Sequence, residues 1–463
     1  MTFQSPIRWV AVALVVAFAF GSALAIGLEV SVRWTIYLLL IPFVFAALFV
    51  IRQPAILVAA VFVPLMILER SLISFRQVGP FAIGVSFVTA AVVVAALWYH
   101  GHRPLPFGRY RWIWTGLVVV AALAVLQGRN TEVEIVRFQH HYLEGLLYFF
   151  LALLAWKTPD DIRQFCWILV GIGVFFALLQ FYFLRTGVAL LQPTFEVASS
   201  EREWRYGGPL GNPNSFADFC AMLIAMMVPL TQLERSTVKR AVLLMSLATL
   251  VTALLLTGSR GGMLAATVGA SVAIFIVTRH ILRGWIAFPL ALLLFAIGYQ
   301  VAGSQFGETL DKSVERLDRG LEDVRTEIWS ATVDIVVENP LGLGHDPLSF
   351  VGEVARKRPG FFFATPHNLF LGVAVTIGLA GLLFFLAFWI QVVADATHAT
   401  KRAADPQTQR LAISISLILF VFLVAAMTEP IFDNGHKLNH LFWFVSGTVV
   451  WLRHNSAAHL PVR

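Results

Sequence analysis

Runs of about twenty apolar residues recur along this chain, and their length constrains the fold more than any other feature. Hydrophobic residues make up 58% of the 463 positions and charged residues only 13%, whereas soluble domains carry about 25% charged residues. A helix of about twenty residues crosses the hydrocarbon core of a bilayer. The sequence therefore predicts an all-α, polytopic transmembrane helical bundle with about 12–14 spans.

One long loop, 303–366, interrupts the predicted spans and is expected to be partly helical and extracytoplasmic. We divide the chain into an N-terminal transmembrane region (1–204), a core that includes this loop (205–394) and C-terminal transmembrane helices (395–463). The first apolar run is taken as an uncleaved span and not as a signal peptide. The spans are expected near 7–27, 33–51, 54–68, 80–99, 112–127, 142–156, 162–184, 213–231, 240–257, 260–278, 284–302, 367–393, 410–427 and 438–452.

The distribution of basic residues predicts the orientation in the membrane. If the N-terminus is cytoplasmic, about half of the 34 Lys and Arg residues lie in short cytoplasmic segments, and most of the others lie in two long outer loops. Long loops cross the membrane largely regardless of charge, so the positive-inside rule favours cytoplasmic N- and C-termini. The same bias explains the net charge of +7, so the expected partner is the lipid bilayer and not nucleic acid.

Three polar motifs then fall on the extracytoplasmic side, each at the start of a predicted span. They are Gly211-Asn212-Pro213-Asn214, Gly258-Ser259-Arg260-Gly261-Gly262 and Thr365-Pro366-His367-Asn368. Loop charge alone fixed this orientation, so their common side is an independent result. Together they would supply a titratable base, arginines and helix N-termini, which suits an anionic, lipid-linked substrate.

The first motif reads as a helix start, because Asn is a strong N-cap and Pro suits the first helical position. Two explanations of the motif are equally good. Asn212 caps the helix, or Asn212 and Asn214 bind substrate. Asp218 follows one turn later inside the span, where an acid is a functional candidate by default. The alternative for Asp218 is a hydrogen bond between helices, with Asn214 as the expected partner.

The second motif is suited to binding phosphate. Ser259 can cap the helix, and Gly261 would let a ligand approach the backbone closely. Free N–H groups at a helix start attract anions, and Arg260 adds a two-pronged donor. The alternative is that Arg260 only extends to the lipid headgroups.

In the third motif, His367 is predicted to lie on the first turn of its span, as a general base. Imidazole is the side chain that gains or loses a proton nearest to neutral pH. The alternative is a capping or interfacial histidine. His345, His140 and His141 are weaker outward candidates, because none of them opens a span after a proline.

The long loop contains an amphipathic helix, since Val314, Leu317, Leu321, Val324, Ile328, Ala331 and Ile335 repeat at three- and four-residue intervals. It is expected to end at Asn339-Pro340, before Leu341-Gly342-Leu343-Gly344, and to pack over the membrane domain as a lid. Arg325 and Trp329 lie four residues apart on it, which taken alone favours a surface ion pair or a cation–π contact.

The outer loops show no strong metal motif. They contain no Asp-x-Asp, and the acidic pairs Glu132-Val133-Glu134 and Glu201-Arg202-Glu203 are weak signals. We therefore expect no metal and no cofactor, with arginine as the electrophilic group.

The ordered motifs resemble those of the O-antigen ligase and O-antigen polymerase superfamily of bacterial inner membranes. The resemblance covers roughly residues 205–381, and the first two hundred residues are similar only as a helical membrane region. It is carried by Gly211-Asn212-Pro213-Asn214-Ser215-Phe216-Ala217, Thr257-Gly258-Ser259-Arg260-Gly261-Gly262, Arg325 with Trp329, Asn339-Pro340-Leu341-Gly342-Leu343-Gly344 and Pro366-His367-Asn368-Leu369-Phe370-Leu371.

The resemblance implies a metal-independent, inverting glycosyltransferase at the periplasmic face of the inner membrane. Its donor would be an undecaprenyl-pyrophosphate-linked glycan, and its acceptor either lipid A–core (a ligase) or another glycan (a polymerase, including an exopolysaccharide polymerase). By resemblance, His367 would take the hydroxyl proton, and Arg260 and Arg325 would bind the pyrophosphate. The expected substrate-binding residues are Ser259, Gly261, Asn212, Asn214, Asp218, Trp329 and, as a lesser candidate, Arg205.

Two other functions fit many of the same features. A transporter or flippase of the same lipid-linked glycan would also have many spans and outer arginines, although the sequence shows no inverted or parallel repeat. A protein O-oligosaccharyltransferase would use the same donor with a different acceptor.

Overall fold

The computed structural model describes residues 108–187, 212–278, 325–360, 363–430 and 438–456, together with positions 94, 207, 210, 289 and 293. Within these residues every regular element is helical, which confirms the predicted all-α class. The predicted spans 7–27, 33–51, 54–68, 80–99 and 284–302 lie outside the continuous described ranges, as do Arg205, Gly211 and the loop residues 303–324. The α-helices are α1 (Tyr110–Ala124), α2 (Thr131–Phe138), α3 (Glu144–Ala155), α4 (Pro159–Thr186), α5 (Pro213–Leu233), α6 (Thr237–Leu256), α7 (Arg260–Thr278), α8 (Arg325–Glu338), α9 (Pro347–Lys357), α10 (Leu369–Lys401), α11 (Pro406–Ala426) and α12 (Asn439–Ser456).

Seven helical segments in the described part of the chain are long and apolar enough to cross a membrane. They correspond to seven of the predicted spans, so the protein is a polytopic membrane protein. The predicted span 142–156 differs, because α3 has only 12 residues and is preceded by a π-helical turn, Gln139–Leu143. The predicted span 438–452 corresponds to α12, which begins one residue later, and residues 438 to 452 are all buried. The seven segments are Tyr110–Gln127, Pro159–Thr186, Pro213–Leu233, Thr237–Leu256, Arg260–Thr278, Leu369–Lys401 and Pro406–Ala426.

Helix α5 lies at the centre of the bundle, and nearly all of its residues are buried. Small residues let its neighbours approach closely, as is typical of helix contacts in membranes. A Cβ on Gly262 of α7 would lie 2.4 Å from the Cβ of Ala217, and one on Gly269 would meet Val421 and Ala225. This packing places the starts of α5 and α7 beside the end of α11.

A layer of aromatic rings joins α1, α3, α10 and α12. Trp114 and Trp443 have ring centroids 4.6 Å apart, and both pack against Phe388. A Cβ on Gly145 of α3 would lie only 2.4 Å from the Nε1 of Trp443. Glycine at this position therefore permits the close contact between α3 and α12.

The long loop packs on the membrane domain through the apolar face predicted from its sequence. Ile328, Ala331 and Ile335 of α8 are buried, and the first and last of these pack in one cluster with Phe350 and Val354 of α9 and with Ala374 and Val375 of α10. Helix α8 ends at Glu338, directly before the predicted stop. The four predicted core positions before Arg325 lie outside the described residues.

Helix α10 is broken at Gly378, whose φ of 75° is favourable only for glycine. The segment that follows α8 fills this break. The backbone N–H of Leu343 donates to the carbonyl of Val375 at 2.7 Å, and the N–H of Leu379 donates to the carbonyl of Pro340 at 2.9 Å. The sequence predicted that the helix ends here. The structure shows in addition that the segment after α8 packs against the broken part of α10.

Candidate functional site

A buried glutamate, Glu429, connects the starts of α5 and α8 and the turn before α10. Its side chain is 2% exposed. The Oε1 atom accepts hydrogen bonds from Asn214 Nδ2 at 3.0 Å and from Arg325 Nη2 at 3.1 Å. The Oε2 atom lies 3.9 Å from His367 Nδ1. We call these four residues, which come from four separate segments, the Glu429 cluster.

The start of α5 is built as its sequence predicts. Asn212 is the N-cap, and its side chain accepts a hydrogen bond from the backbone N–H of Asn214 at 2.8 Å. Pro213 occupies the first turn. The two asparagines differ in role, because Asn212 closes the helix end and the side chain of Asn214 reaches Glu429.

Ser259 caps α7 as predicted, since its Oγ accepts from the backbone N–H of Gly262 at 3.2 Å. Arg260, the first residue of α7, is exposed. A Cβ on Gly261 would lie 2.9 Å from Thr428 Oγ1. The close approach at Gly261 is therefore to Thr428, the residue before Glu429, and a substrate contact of Gly261 stays a prediction.

His367 lies in a turn before α10 and not, as predicted, on the first turn of the helix. Helix α10 begins at Leu369, and Asn368 is its N-cap, accepting from the backbone N–H of Leu371 at 3.1 Å. Among the described residues, His367 is the one non-glycine with a positive φ, 49°. Such backbone strain at a non-glycine residue is held in place by its surroundings and is common at functional sites.

Two side chains hold the His367 turn. Trp329 Nε1 donates to the carbonyl of Pro366 at 2.9 Å, and Asn368 Nδ2 donates to the carbonyl of Met427 at 3.1 Å. The expected local pair of Arg325 and Trp329 therefore serves two separate contacts, one with Glu429 and one with the residue before His367. Helix α8 positions both.

Asp218 lies one turn deeper in α5, on the same face as Asn214. It is fully buried, and neither carboxylate oxygen has a hydrogen-bond partner among the described residues. The charges of Glu429 and Arg325 both act on it. The expected bond between Asn214 and Asp218 is wrong, because the Asn214 amide donates to Glu429 instead.

Sequence reasoning missed Glu429, although a signal was present. Thr428-Glu429-Pro430 is a short polar stretch at the end of α11, on the side where α5, α7 and α10 begin. An acid at that level is rare in a membrane protein. It becomes a candidate only when the fold brings it to Asn214, Arg325 and His367.

His345, a weaker candidate base, is a buried structural residue. Its Nε2 contacts the carbonyl of Ala121 at 2.9 Å, and its backbone N–H donates to Glu134, which also accepts from the N–H of Asp346 at 2.8 Å. Burial, with a smaller contribution from the charge of Arg137, lowers the pKa of His345 to about 4, and the hydrogen bond to Ala121 partly opposes this shift. Burial raises the pKa of Glu134. This region therefore joins α1 and α2 to the long loop.

A cavity of about 80 Å³ adjoins the His367 turn. Its lining includes Thr365, Pro366 and Asn368 of that turn, together with Arg137 and His345. The cavity therefore borders both the turn before α10 and the α2 region. Arg205 lies outside the described residues, and its predicted role is unchanged.

Comparison with known proteins agrees with the ordered motifs. Residues 245–386 match a protein-family model described as O-antigen ligase. This range contains Arg260, Arg325, Trp329 and His367, and it ends before Glu429.

A curated "O-antigen ligase" of Pseudomonas aeruginosa is 27% identical to the chain over 250 residues, which cover 53% of this chain and 54% of that protein. The chain thus spans about half the length of the curated relative it matches. The family match, this similarity and the motifs gathered around α5, α7, α8 and α10 together support the O-antigen ligase/polymerase superfamily for this chain.

Proposed function

We propose that the protein is a glycosyltransferase that moves a glycan from undecaprenyl pyrophosphate to an acceptor hydroxyl at the outer face of the bacterial inner membrane. The observation that carries the proposal is the Glu429 cluster, in which a histidine and an arginine face one buried carboxylate. Arg260 is exposed beside it. A base, cationic groups and helix N-termini are the groups that such a transfer requires.

The donor pyrophosphate is placed between Arg260 and Arg325. Helices α5, α7 and α10 begin near this point, and the positive ends of helix dipoles attract phosphate. The capped start of α7 holds Arg260 at the surface. Arg325 contacts Glu429 through Nη2, and the planar guanidinium has further N–H donors that can meet a phosphate oxygen. Arg205 is a lesser candidate for the same role.

His367 acts as the general base. The acceptor oxygen forms a bond to the anomeric carbon as the bond from that carbon to the pyrophosphate oxygen breaks. The hydroxyl proton passes to His367, and the pyrophosphate leaves with the electron pair, so the anomeric configuration inverts. Base catalysis of this kind contributes about 10²–10⁴-fold.

Glu429 orients His367 for the transfer. The carboxylate faces Nδ1, which leaves Nε2 for the acceptor hydroxyl, as in other base–carboxylate pairs. The 3.9 Å separation is longer than a hydrogen bond, and catalytic contacts are often long before the substrate binds. Trp329 and Asn368 hold the turn that carries His367.

The arginines supply the positive charge that a divalent ion supplies in other transferases, so transfer is expected to continue in EDTA. The acceptor is lipid A–core for a ligase and a second lipid-linked glycan for a polymerase. The cavity beside Pro366 and Asn368 is the proposed acceptor side of the site.

The proposed orientation has cytoplasmic termini and a periplasmic site. The opposite end of the bundle supports it, because α10 ends at Lys401 and is followed by Arg402, and Arg453 lies in the last turn of α12. Single cysteines at exposed positions in α9 and in the turn after α10 would test this by labelling with an impermeant maleimide. Labelling of the α10 turn and not of α9 in intact spheroplasts would contradict it.

A reconstituted assay tests the function. Purified protein receives the undecaprenyl-pyrophosphate glycan of its host in EDTA, with and without lipid A–core. Product only with the core indicates a ligase, and ladders of longer lipid-linked glycan without the core indicate a polymerase. Arg260→Ala should lower the rate by about 100-fold or more. Arg356→Ala, an exposed arginine of α9 on the same side, is the matched control and should leave the rate unchanged.

Absence of product with wild-type protein and every acceptor would overturn the proposal and favour a transporter or a protein acceptor. A purified flippase cannot join two glycans, so any joined product excludes that alternative. If the Arg260→Ala protein folds and has the wild-type rate, Arg260 does not bind the donor pyrophosphate.

A further inference from the structure

A second buried polar cluster lies between α3 and α12, apart from the residues used above. His140 Nδ1 is 2.8 Å from Glu144 Oε2, and His440 Nε2 is 3.0 Å from the same oxygen. The three donor atoms all lie within 4.8 Å of one another. Two imidazoles and one carboxylate therefore converge on one point.

We propose that His140, Glu144 and His440 bind a divalent transition-metal ion, with Zn²⁺ as the best match. Two histidines and one glutamate are an established ligand set for zinc, and imidazole favours ions of this class over Mg²⁺ or Ca²⁺. Three protein ligands leave a fourth position for water or another group. The site is separate from the Glu429 cluster and does not depend on the proposed transfer reaction.

Local structure brings the three ligands together. His140 lies in the π-helical turn Gln139–Leu143, which runs directly into α3 at Glu144. Turns of this kind are rare and occur frequently at functional sites. Gly145 permits the close contact of α3 with Trp443, and this contact sets His440, in the first turn of α12, against Glu144.

The burial of the ligands suits an ion that is held by protein and reached from the surface. Glu144 and His440 have side chains only 5% exposed, whereas the side chain of His140 is 27% exposed and gives an entry path. Ligand atoms about 2.0–2.1 Å from a tetrahedral zinc ion lie about 3.3 Å from one another. The observed 2.8 and 3.0 Å separations from Glu144 therefore need small outward shifts, and the two imidazole nitrogens lie within 4.8 Å of each other.

Hydrogen bonds to Glu144 hold both imidazoles in this arrangement before any ion binds. The ion would replace those bonds, and the proton that each nitrogen donates to Glu144 would move to the other ring nitrogen or to solvent, which leaves a lone pair for the ion. A bound ion would link the π-helical turn to the start of α12. Helix α12 follows Glu429 by a short connection, so the expected effect is a firmer outer end of the bundle.

Metal content of the purified full chain tests the proposal. The protein carries an affinity tag without histidine, is incubated with Zn²⁺ and desalted, and its zinc is measured by elemental analysis. Wild-type protein should retain about one ion per chain, and His440→Ala and Glu144→Gln should each retain less than about a fifth of that. His454→Ala, an exposed histidine at the other end of α12, should bind as the wild type does.

A second measurement covers the case in which a variant folds poorly. Co²⁺ in place of Zn²⁺ should give wild-type protein a visible spectrum with nitrogen and oxygen ligands, and added Zn²⁺ should remove it. Zn²⁺ should also raise the melting temperature of the wild type and not that of a monodisperse Glu144→Gln protein. Wild-type protein that retains no stoichiometric zinc, or variants that retain as much as it does, would overturn the site.

Discussion

Two buried glutamates lie at opposite ends of α5, and they have different surroundings. Glu234 follows the last residue of α5, and its side chain is 1% exposed. Glu429 contacts the second residue of α5, Asn214, and its side chain is 2% exposed. Burial alone therefore does not distinguish them.

Glu234 is bonded through both carboxylate oxygens by close neighbours. Arg163 Nε and Nη2 donate to Oε1 and Oε2 at 2.9 and 2.7 Å, and Trp167 Nε1 donates to Oε1 at 2.9 Å. Burial by itself raises the pKa of Glu234, but the hydrogen bonds from Arg163 and Trp167 outweigh it and hold the pKa below its usual value. This geometry fastens α4 to the end of α5.

Glu429 instead lies beside groups from three other segments. One of them, His367, has its Nδ1 atom 3.9 Å from Glu429 Oε2. The two hydrogen bonds from Arg163 to Glu234 stabilise the fold. In the proposed function, the carboxylate of Glu429 acts on the base His367 and on the donor-binding Arg325. The comparison predicts that changes around Glu234 affect stability and changes around Glu429 affect transfer.

The largest expected effect is on catalysis. His367→Ala should lower the transfer rate by about 10²–10⁴-fold, because the base is lost. Its melting temperature should stay near the wild-type value, since the imidazole is 35% exposed and its Nδ1 has no hydrogen-bond partner among the described residues. The rate is measured in the reconstituted assay, with His398→Ala as a histidine control on the other side of the membrane. A rate within threefold of the wild-type rate would show that His367 is not the general base.

The second change acts at the other glutamate. Arg163→Ala leaves Glu234 buried without its two-pronged partner, which should cost about 3 kcal/mol or more of stability. Thermal unfolding in detergent measures the loss, with the exposed Arg109→Ala as control. The rate per folded molecule should stay unchanged. A lower rate with normal stability would contradict the contrast between the two glutamates.

The sequence predicts the parts of this site that depend on local chemistry. Seven of the predicted spans, the caps Asn212 and Ser259 and the described part of the apolar face of α8 follow from residue type and spacing, and the structure confirms them. The place of Glu429, the docking of 339–344 against the broken helix at Gly378 and the His140–Glu144–His440 cluster are missed. Each of these joins segments distant in sequence, and the local pattern of one segment does not reveal its partner.

The pair of Arg325 and Trp329 shows the same limit within one helix. Their spacing correctly places them on one face, and it suggests that they bind each other. In the structure they contact Glu429 and Pro366, which lie 104 and 37 residues away in sequence.

Acid should weaken the structural contact at His345 in a predictable way. The pKa of His345 is lowered to about 4 by burial, so below about pH 6.5 the unfolded chain takes up a proton that the folded protein excludes. Stability is complete above about pH 6.5 and falls by about 3 kcal/mol as the pH drops towards 4. Glu134, with a raised pKa, has the opposite sign, since its contribution is lost as the pH rises.

The melting temperature of wild type and His345→Gln, measured from pH 7 to 4.5, checks this prediction. Gln keeps a donor for the Ala121 carbonyl and cannot titrate, and Glu134 contributes equally to both proteins. The variant should therefore show the shallower decline. Equal slopes would mean that His345 does not control the acid response.

The smallest expected effect concerns the His367 turn. Trp329→Phe removes the donor to the Pro366 carbonyl, a contact worth about 1 kcal/mol, and should lower kcat by about fivefold through a looser turn. KM should change little. In a His367→Ala background the same change should have no further effect, because the group being positioned is gone. Equal losses in both backgrounds would show that Trp329 acts elsewhere.

The most direct test of the central contrast is to neutralise each buried glutamate in turn and measure rate and melting temperature together. Glu429→Gln can still accept from Asn214 and Arg325, so it should fold normally and transfer about 100-fold more slowly, because the charge facing His367 is lost. Glu234→Gln should melt at a lower temperature and transfer at the wild-type rate per folded molecule. A fully active Glu429→Gln protein, or two variants with the same pattern, would contradict the account.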